Sequence, residues 1–286
     1  MSKISENQFG GRWTLEKLEI LRKYLNTYTT ALKNQPFKLL YIDAFAGTGR
    51  VQQETQSPEE VDCLSFIDGS VNVALDIENK SFDELIFIET DPNKCSELED
   101  LKRSRFDRNI HIENTDANQY LYNLKRDWSR WRGVLFLDPF GAQVDWTTIE
   151  TIAGYNALDT WILFPTSTII RMLPRSRPPE DIYPHWAETL TRVMGNECVW
   201  RTMYQPSNQM ELFNGPRLVR EAGVTNLIRI YKDNLKELFG NRFLSESKTL
   251  KNSRNSSLYE FIFCVGNDTP KAISAAKKIA KHLLSM

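Results

Sequence analysis

The chain has 286 residues, 41% of them apolar and 26% charged, with a formal net charge of −1. Those totals fit an ordinary globular protein and exclude a collagen-like, low-complexity or disulfide-framework chain. No apolar run approaches the ~20 residues of a membrane-spanning helix, and MSKISENQFGGRW lacks the basic-then-apolar pattern of a secretory leader. The four cysteines (Cys63, Cys95, Cys198, Cys264) are scattered without CxxC or zinc-type spacing, so we expect reduced thiols, no metal and a cytoplasmic location. Charge is uneven. Residues 1–164 carry 18 Lys+Arg against 26 Asp+Glu, and residues 165–286 carry 18 against 11. The basic half is suited to an acidic partner such as nucleic acid.

In chain order, TLEKLEILRKYLNTYTTALKN places Leu15, Leu18, Leu21, Leu25, Tyr28 and Leu32 at steps of three and four, which predicts a helix. FKLLYIDAF follows as a short apolar strand suited to burial on both faces. Residues 51–68 read as a polar loop, and DGSVNVALDIEN as a helix capped by Asp68 or Ser70. Strand DELIFIE ends at Glu89, then comes a helix capped by Asp91 and a strand around NIHIENT. Residues 118–132 read as helix, RGVLFLDPF as strand, VDWTTIETIA as helix and DTWILFP as strand. The prolines of MLPRSRPPEDIYP exclude a central strand or long helix there. Helical pieces fill 185–239, with GNECVWRTMYQPSN ambiguous. Two C-terminal strands (NRFLSESKTL and SSLYEFIFCVGN) and a helix over TPKAISAAKKIAKHLL complete the chain. The alternation predicts an α/β protein: a mostly parallel sheet with helices on both faces and a C-terminal antiparallel hairpin. We expect one principal domain over 1–286, with an N-terminal helical extension (1–35) and an insertion or substrate-recognition region (166–240).

Ligands of open α/β sheets lie beyond the carboxyl ends of the strands. The first strand exits through YIDAFAGTGR, where Gly47 and Gly49 let the backbone approach a ligand closely. Glu89 ends the second strand, Asp116 follows the third in ENTDA, and Asp138 ends the fourth in LFLDPFG. Four acids at four successive strand ends outweigh any single motif. A dinucleotide site would need a third glycine, which Gly47-Thr48-Gly49-Arg50-Val51-Gln52 lacks, and its acid about 20 residues on; Glu89 comes 40 residues after Gly49. A P-loop is excluded because no GK[ST] follows. Asp43, Glu89 and Asp116 suit S-adenosylmethionine, whose ammonium, ribose and adenine all donate hydrogen bonds and which has no phosphate to repel.

The order D-x-F-x-G-x-G, then an acid after each of the next two strands, then D-P, resembles the class I methyltransferase pattern. Through WTLEKLEILRKYL, YIDAFAGTGR, GSVNVAL, FIETDP, LFLDPFG and LYEFIFCV the chain more closely resembles the three-Cys-motif partner family (TcmP), with the likeness thinnest over 165–240. That resemblance implies a Rossmann-like methyltransferase fold and association with a protein carrying a three-cysteine motif. It also implies cofactor contacts at Asp43, Phe45, Gly47, Gly49, Glu89 and Asp116. In the D-P-P-Y type of motif an acid and a carbonyl hold an amine while an aromatic ring stacks. Asp138, Pro139 and Phe140 supply those parts here, although Gly141 occupies the usual aromatic position and the ring is one place forward. A nucleic-acid base amine is therefore one acceptor class, with protein and small-molecule acceptors left open. Trp146 is a candidate wall of the acceptor pocket, and Arg171, Arg175 and Arg177 are candidate phosphate contacts. The other-class alternative is a non-catalytic cofactor- or partner-binding protein. His111, His185 and His282 share no motif and read as structural or surface residues.

Overall fold

A computed structural model describes residues 12–48, 50–52, 66–77, 80–175, 178–211, 215–220 and 223–286. Helix α1 (Arg12–Leu32) leads into β1 (Lys38–Asp43), the short strands β2 (Arg50–Gln52) and β3 (Phe66–Asp68), and α2 (Ser70–Leu75). Then come β4 (Glu84–Ile88), α3 (Pro92–Ser104), β5 (Ile110–Glu113), α4 (Ala117–Asn123) and β6 (Trp131–Leu137). The chain continues through α5 (Trp146–Tyr155), β7 (Leu158–Phe164), α6 (Thr166–Met172), α7 (Pro184–Met194) and α8 (Glu197–Arg201). It ends with β8 (Gln205–Glu211), β9 (Gly215–Val219), α9 (Val224–Phe239), β10 (Lys248–Lys251), β11 (Ser257–Cys264) and α10 (Pro270–Leu284).

Seven strands form one sheet in the order β10-β11-β7-β6-β1-β4-β5. All neighbours are parallel except that β11 runs antiparallel to both β7 and β10. This is the expected α/β arrangement: a mostly parallel, Rossmann-like sheet with helices on both faces and a C-terminal antiparallel hairpin. Alternation along the strands feeds two cores. Leu40, Ile42, Leu135 and Leu137 face α4 to α9, whereas Leu39, Tyr41, Val134 and Phe136 face α1, α2, α3 and α10. A period-two strand buried on both faces must be largely apolar, which is why the centres of β1, β4 and β6 and the end of β7 (Trp161–Phe164) read as apolar runs.

Several boundaries differ from the sequence reading for local physical reasons. The buried stripe of α1 runs through Thr14, Lys17, Leu18, Leu21, Tyr24, Leu25 and Tyr28, and Leu15 is 42% exposed. The stripe is thus rotated from the leucine pattern, because two polar side chains occupy it. The helix predicted over 118–132 stops at Asn123. Beyond it Arg126 forms a bidentate pair with Glu84 at 2.7 and 2.8 Å, and Trp128 stacks on Tyr155 at 4.9 Å. Tertiary contacts there outweigh helical propensity. Helix α2 is capped by Gly69 rather than by Asp68 or Ser70.

One buried acid ties the layers together. Asp159 accepts from Tyr24 Oη at 2.6 Å and from Gly266 N at 2.7 Å, linking α1, β7 and the turn after β11. Burial pushes its carboxyl up to about 6, and those two donors oppose the shift. The turn can approach so closely because residue 266 has no side chain: a Cβ there would meet Leu158 backbone atoms at 2.4–2.6 Å. Asp159→Ala leaves two buried donors unpaired and should cost about 2–4 kcal/mol in urea unfolding, whereas an unchanged midpoint would remove Asp159 as a brace.

Candidate functional site

The strand order reverses at β1, whose neighbours β4 and β6 are reached by connections running in opposite directions. Beyond its carboxyl end the chain stays hydrogen-bonded to both: Ala44 N donates to Phe136 O (3.1 Å) and Ala46 N to Ile88 O (3.0 Å). The turn that follows depends on Gly47, which has φ +61°. No atom lies within 4 Å of where its Cβ would be, so the left-handed backbone, with open space beside it, calls for glycine.

Gly47 N donates to Glu89 Oε2 at 3.1 Å, and Asp91 N donates to Oε1 at 2.9 Å. The end of β4 is itself fixed from below. Asn114 Nδ2 donates to Glu89 O and Thr90 O at 2.9 and 3.0 Å, and Cys95 Sγ donates to Glu89 O at 3.3 Å. Glu89 is therefore a half-exposed carboxylate held by backbone donors at the mouth of the crevice. Asp116 is exposed and caps α4, with one oxygen accepting from Gln119 N at 3.0 Å.

Asp43 is wholly buried. It accepts from Phe45 N at 3.3 Å and Tyr41 Oη at 3.5 Å, and from the Ser70 hydroxyl. Burial above all, and then the charge of Asp138, push its carboxyl up to about 7 against the pull of Ser70, Phe45 and Lys17. Phe45 is half-buried and packs on the α4 to α9 core. Gly49 and Arg177 lie outside the described residues.

At the end of β6 the structure shows a partner that the sequence reading missed. Lys17 of α1, only 7% exposed, pairs through Nζ with Asp138 Oδ2. Its ammonium also lies 4.9 Å from the centre of the Trp13 ring, and Trp13 stacks on Tyr259 at 5.3 Å. A basic residue inside an otherwise apolar helical stripe was the available signal.

Phe140 stands at the tip of the loop after Asp138–Pro139 and is 73% exposed. The loop is held firmly. Phe140 N donates to Gln143 Oε1 at 2.8 Å, Asn118 Nδ2 to Gln143 O at 2.8 Å, and Arg192 of α7 to Ala142 O at 2.8 Å. Arg192 also pairs with Asp145. Beside the loop, a small, shallow recess is lined by Pro139, Gly141, Gln143, Phe164 and Tyr231 among others. Trp146 is not on that lining. Its Nε1 donates to Glu150 at 3.0 Å and its ring sits edge-on to Tyr231. Gly195 leaves no room for a Cβ against it. Arg171 Nε donates to Ser167 O at 3.0 Å on the exposed side of α6, and Arg175 is exposed. Among the described residues no cluster could hold a metal ion, and no helix is long and apolar enough to cross a membrane.

No protein-family model matches the chain, and no curated protein matches it. Solved structures do. A Legionella pneumophila protein, LPL1258 of family DUF519, aligns over 93% of this chain and 91% of its own, at 13% identity and TM-score 0.49. A fibrillarin/Nop5p complex aligns over 92% and 89%, at 13% identity and TM-score 0.41. An S-adenosylmethionine-dependent methyltransferase from Clostridium acetobutylicum aligns over 86% and 92%, at 9% identity and TM-score 0.38. At such identities and scores none of them speaks to function, which the side chains of the site must supply.

The buried acid gives a pH test. Asp43 titrates near 7 when folded against an ordinary 3.8, so the folded state holds its proton where the unfolded state has lost it. Its contribution to stability is full below about pH 4 and is lost as pH rises through about 7. Asp43→Asn, which cannot ionise, should therefore gain in melting temperature relative to wild type across that window. A constant difference at every pH would show that the carboxyl is not perturbed.

Proposed function

We propose that the chain is an S-adenosylmethionine-dependent methyltransferase whose cofactor lies across the carboxyl ends of β1, β4 and β5. The observation that carries this reading is the Gly47–Glu89 contact, which fixes an accessible carboxylate at the point where the strand order reverses. Glu89 Oε1 accepts from Asp91 N and Thr90 Oγ1, whereas Oε2 accepts from Gly47 N alone and keeps a lone pair for a ribose hydroxyl. Gly47 leaves open space above the turn, and Asp116 offers a second exposed acceptor for an amino group. These residues fit a cofactor made of donors and a cation. A phosphate would meet three acids instead. Bound there, the cofactor would supply an electrophilic methyl group, and the chain's work is to orient and desolvate.

The acceptor in this reading approaches over β6. Asp138 gives one oxygen to Lys17 and has no other hydrogen-bond donor among the described residues, so its second oxygen is available to an amine. Pro139 contributes its carbonyl, and the exposed Phe140 ring can stack on a planar group. A nucleic-acid base amine fits that trio, with the exposed Arg171 and Arg175 as backbone contacts. The family resemblance adds a protein with a three-cysteine motif as a working partner.

Calorimetric titration with S-adenosylmethionine tests the cofactor site. Wild type should bind saturably and Glu89→Ala should bind at least about tenfold more weakly, the cost of one charged hydrogen-bonding group. A folded wild type that takes up no cofactor would sink the proposal. Transfer of labelled methyl to RNA, DNA or protein separates a catalyst from a protein that only binds the cofactor.

A further inference from the structure

Thr14 and Lys17, polar side chains on the buried face of α1, are not needed for the apolar packing of the helix. Thr14 and Lys17 are three residues apart, so they share one face, and they are 2% and 7% exposed. Thr14 Oγ1 is buried with no hydrogen-bond partner. Lys17 Nζ carries three N–H donors, and its contacts among the described residues are Asp138 and the face of Trp13. Leu18, Leu21, Tyr24 and Leu25 already bury the helix against the sheet. An apolar residue at position 17 would pack there without the desolvation cost of an ammonium. An unpaired buried hydroxyl is also unfavourable. The two groups have one chemistry in common: both donate, one with positive charge, to an acceptor that is anionic.

We propose that Thr14 and Lys17 form the binding corner for the carboxylate of the cofactor's amino-acid end, with Asp138 holding the Lys17 ammonium in place. The inference rests on the methyltransferase reading and deepens it. The crevice carries Asp43, Glu89, Asp116 and Asp138 at its strand ends, so an anionic group entering it needs a cation and a neutral donor of its own. Lys17 is the buried cation beside these acids: its charge is felt at Asp43, and it pairs with Asp138. The corner also explains why a helix preceding the sheet contributes polar groups to its carboxyl edge. The site is then built from both sides, the acids of β1, β4 and β6 facing donors from α1. Lys17 serves two anions at once, one fixed and one carried in by the ligand.

The test compares S-adenosylmethionine with decarboxylated S-adenosylmethionine, which keeps the nucleoside, the sulfonium and the ammonium and lacks only the carboxylate. Titrations use wild type, Thr14→Val, Lys17→Met and the charge-retaining Lys17→Arg, each checked for folding by circular dichroism. Wild type should prefer S-adenosylmethionine by about 10–100-fold, the range of a charged hydrogen-bonded contact. Lys17→Met should bring that ratio close to one while binding decarboxylated S-adenosylmethionine like wild type. Thr14→Val should reduce the ratio several-fold, and Lys17→Arg should keep most of it. Equal wild-type affinity for the two ligands overturns the carboxylate corner and leaves the methyltransferase reading standing. So does an unchanged ratio in Lys17→Met and Thr14→Val. Binding of neither ligand by wild type overturns both.

Discussion

Strand β1 has a parallel neighbour on each side, and those neighbours lead away in opposite directions. Nothing can cross its carboxyl end without breaking one of the two ladders, so a crevice opens there by construction. Every polar group argued for above is a consequence. The turn after Asp43 stays bonded to β6 through Ala44 and to β4 through Ala46, and Gly47 carries the chain away in a conformation that side chains avoid. Glu89 and Asp138 are the first residues past the ends of the two flanking strands. The sheet thus sets their separation before any ligand does.

The chain tolerates buried acids in two different ways. Asp159 is met by a phenol and a backbone N–H, with only distant positive charge, and its surroundings are the centre of a packing layer. Asp43 has donors too, but a second acid and a buried lysine are close enough to move its titration in opposite directions. A charge cluster of that kind at the crevice does not follow from packing, since an apolar trio would be easier to bury. Where a fold keeps buried charge that it does not need for packing, a binding site is the economical explanation.

Much of this was legible in the sequence because it depends on short-range rules. Strands that must be apolar on both faces announce themselves, and the residue that follows each one is placed by counting; Glu89 and Asp138 were found that way. Gly47 was visible as a glycine at a strand exit. What escaped needed long-range knowledge. Lys17 lies 121 positions before Asp138 and sits in a helix whose leucines suggested a slightly different buried stripe. Asn118 and Arg192, which clamp the loop after Phe140, are polar residues on helices with nothing local to mark them. Trp146 was read as a pocket wall because it follows the D-P-F-G stretch, yet a turn places its ring on Gly195 and Tyr231.

Helix α1 connects these observations. Tyr24 fastens it to Asp159 near the start of β7, and Lys17 fastens it to Asp138 just past the end of β6. The two attachments are seven residues apart, about 10 Å along a helix, and they reach opposite ends of the neighbouring strands β6 and β7. One is a neutral phenol on a shielded acid and belongs to the fold. The other is a charge pair at the edge of the crevice, with an acid that keeps 19% of its side chain exposed. If α1 were present only to cover apolar strands, both attachments would be dispensable and the leucine stripe would suffice. Their different chemistry separates the two attachments: Tyr24 sets where the helix lies, and Lys17 brings a buried positive charge to the acids of the crevice.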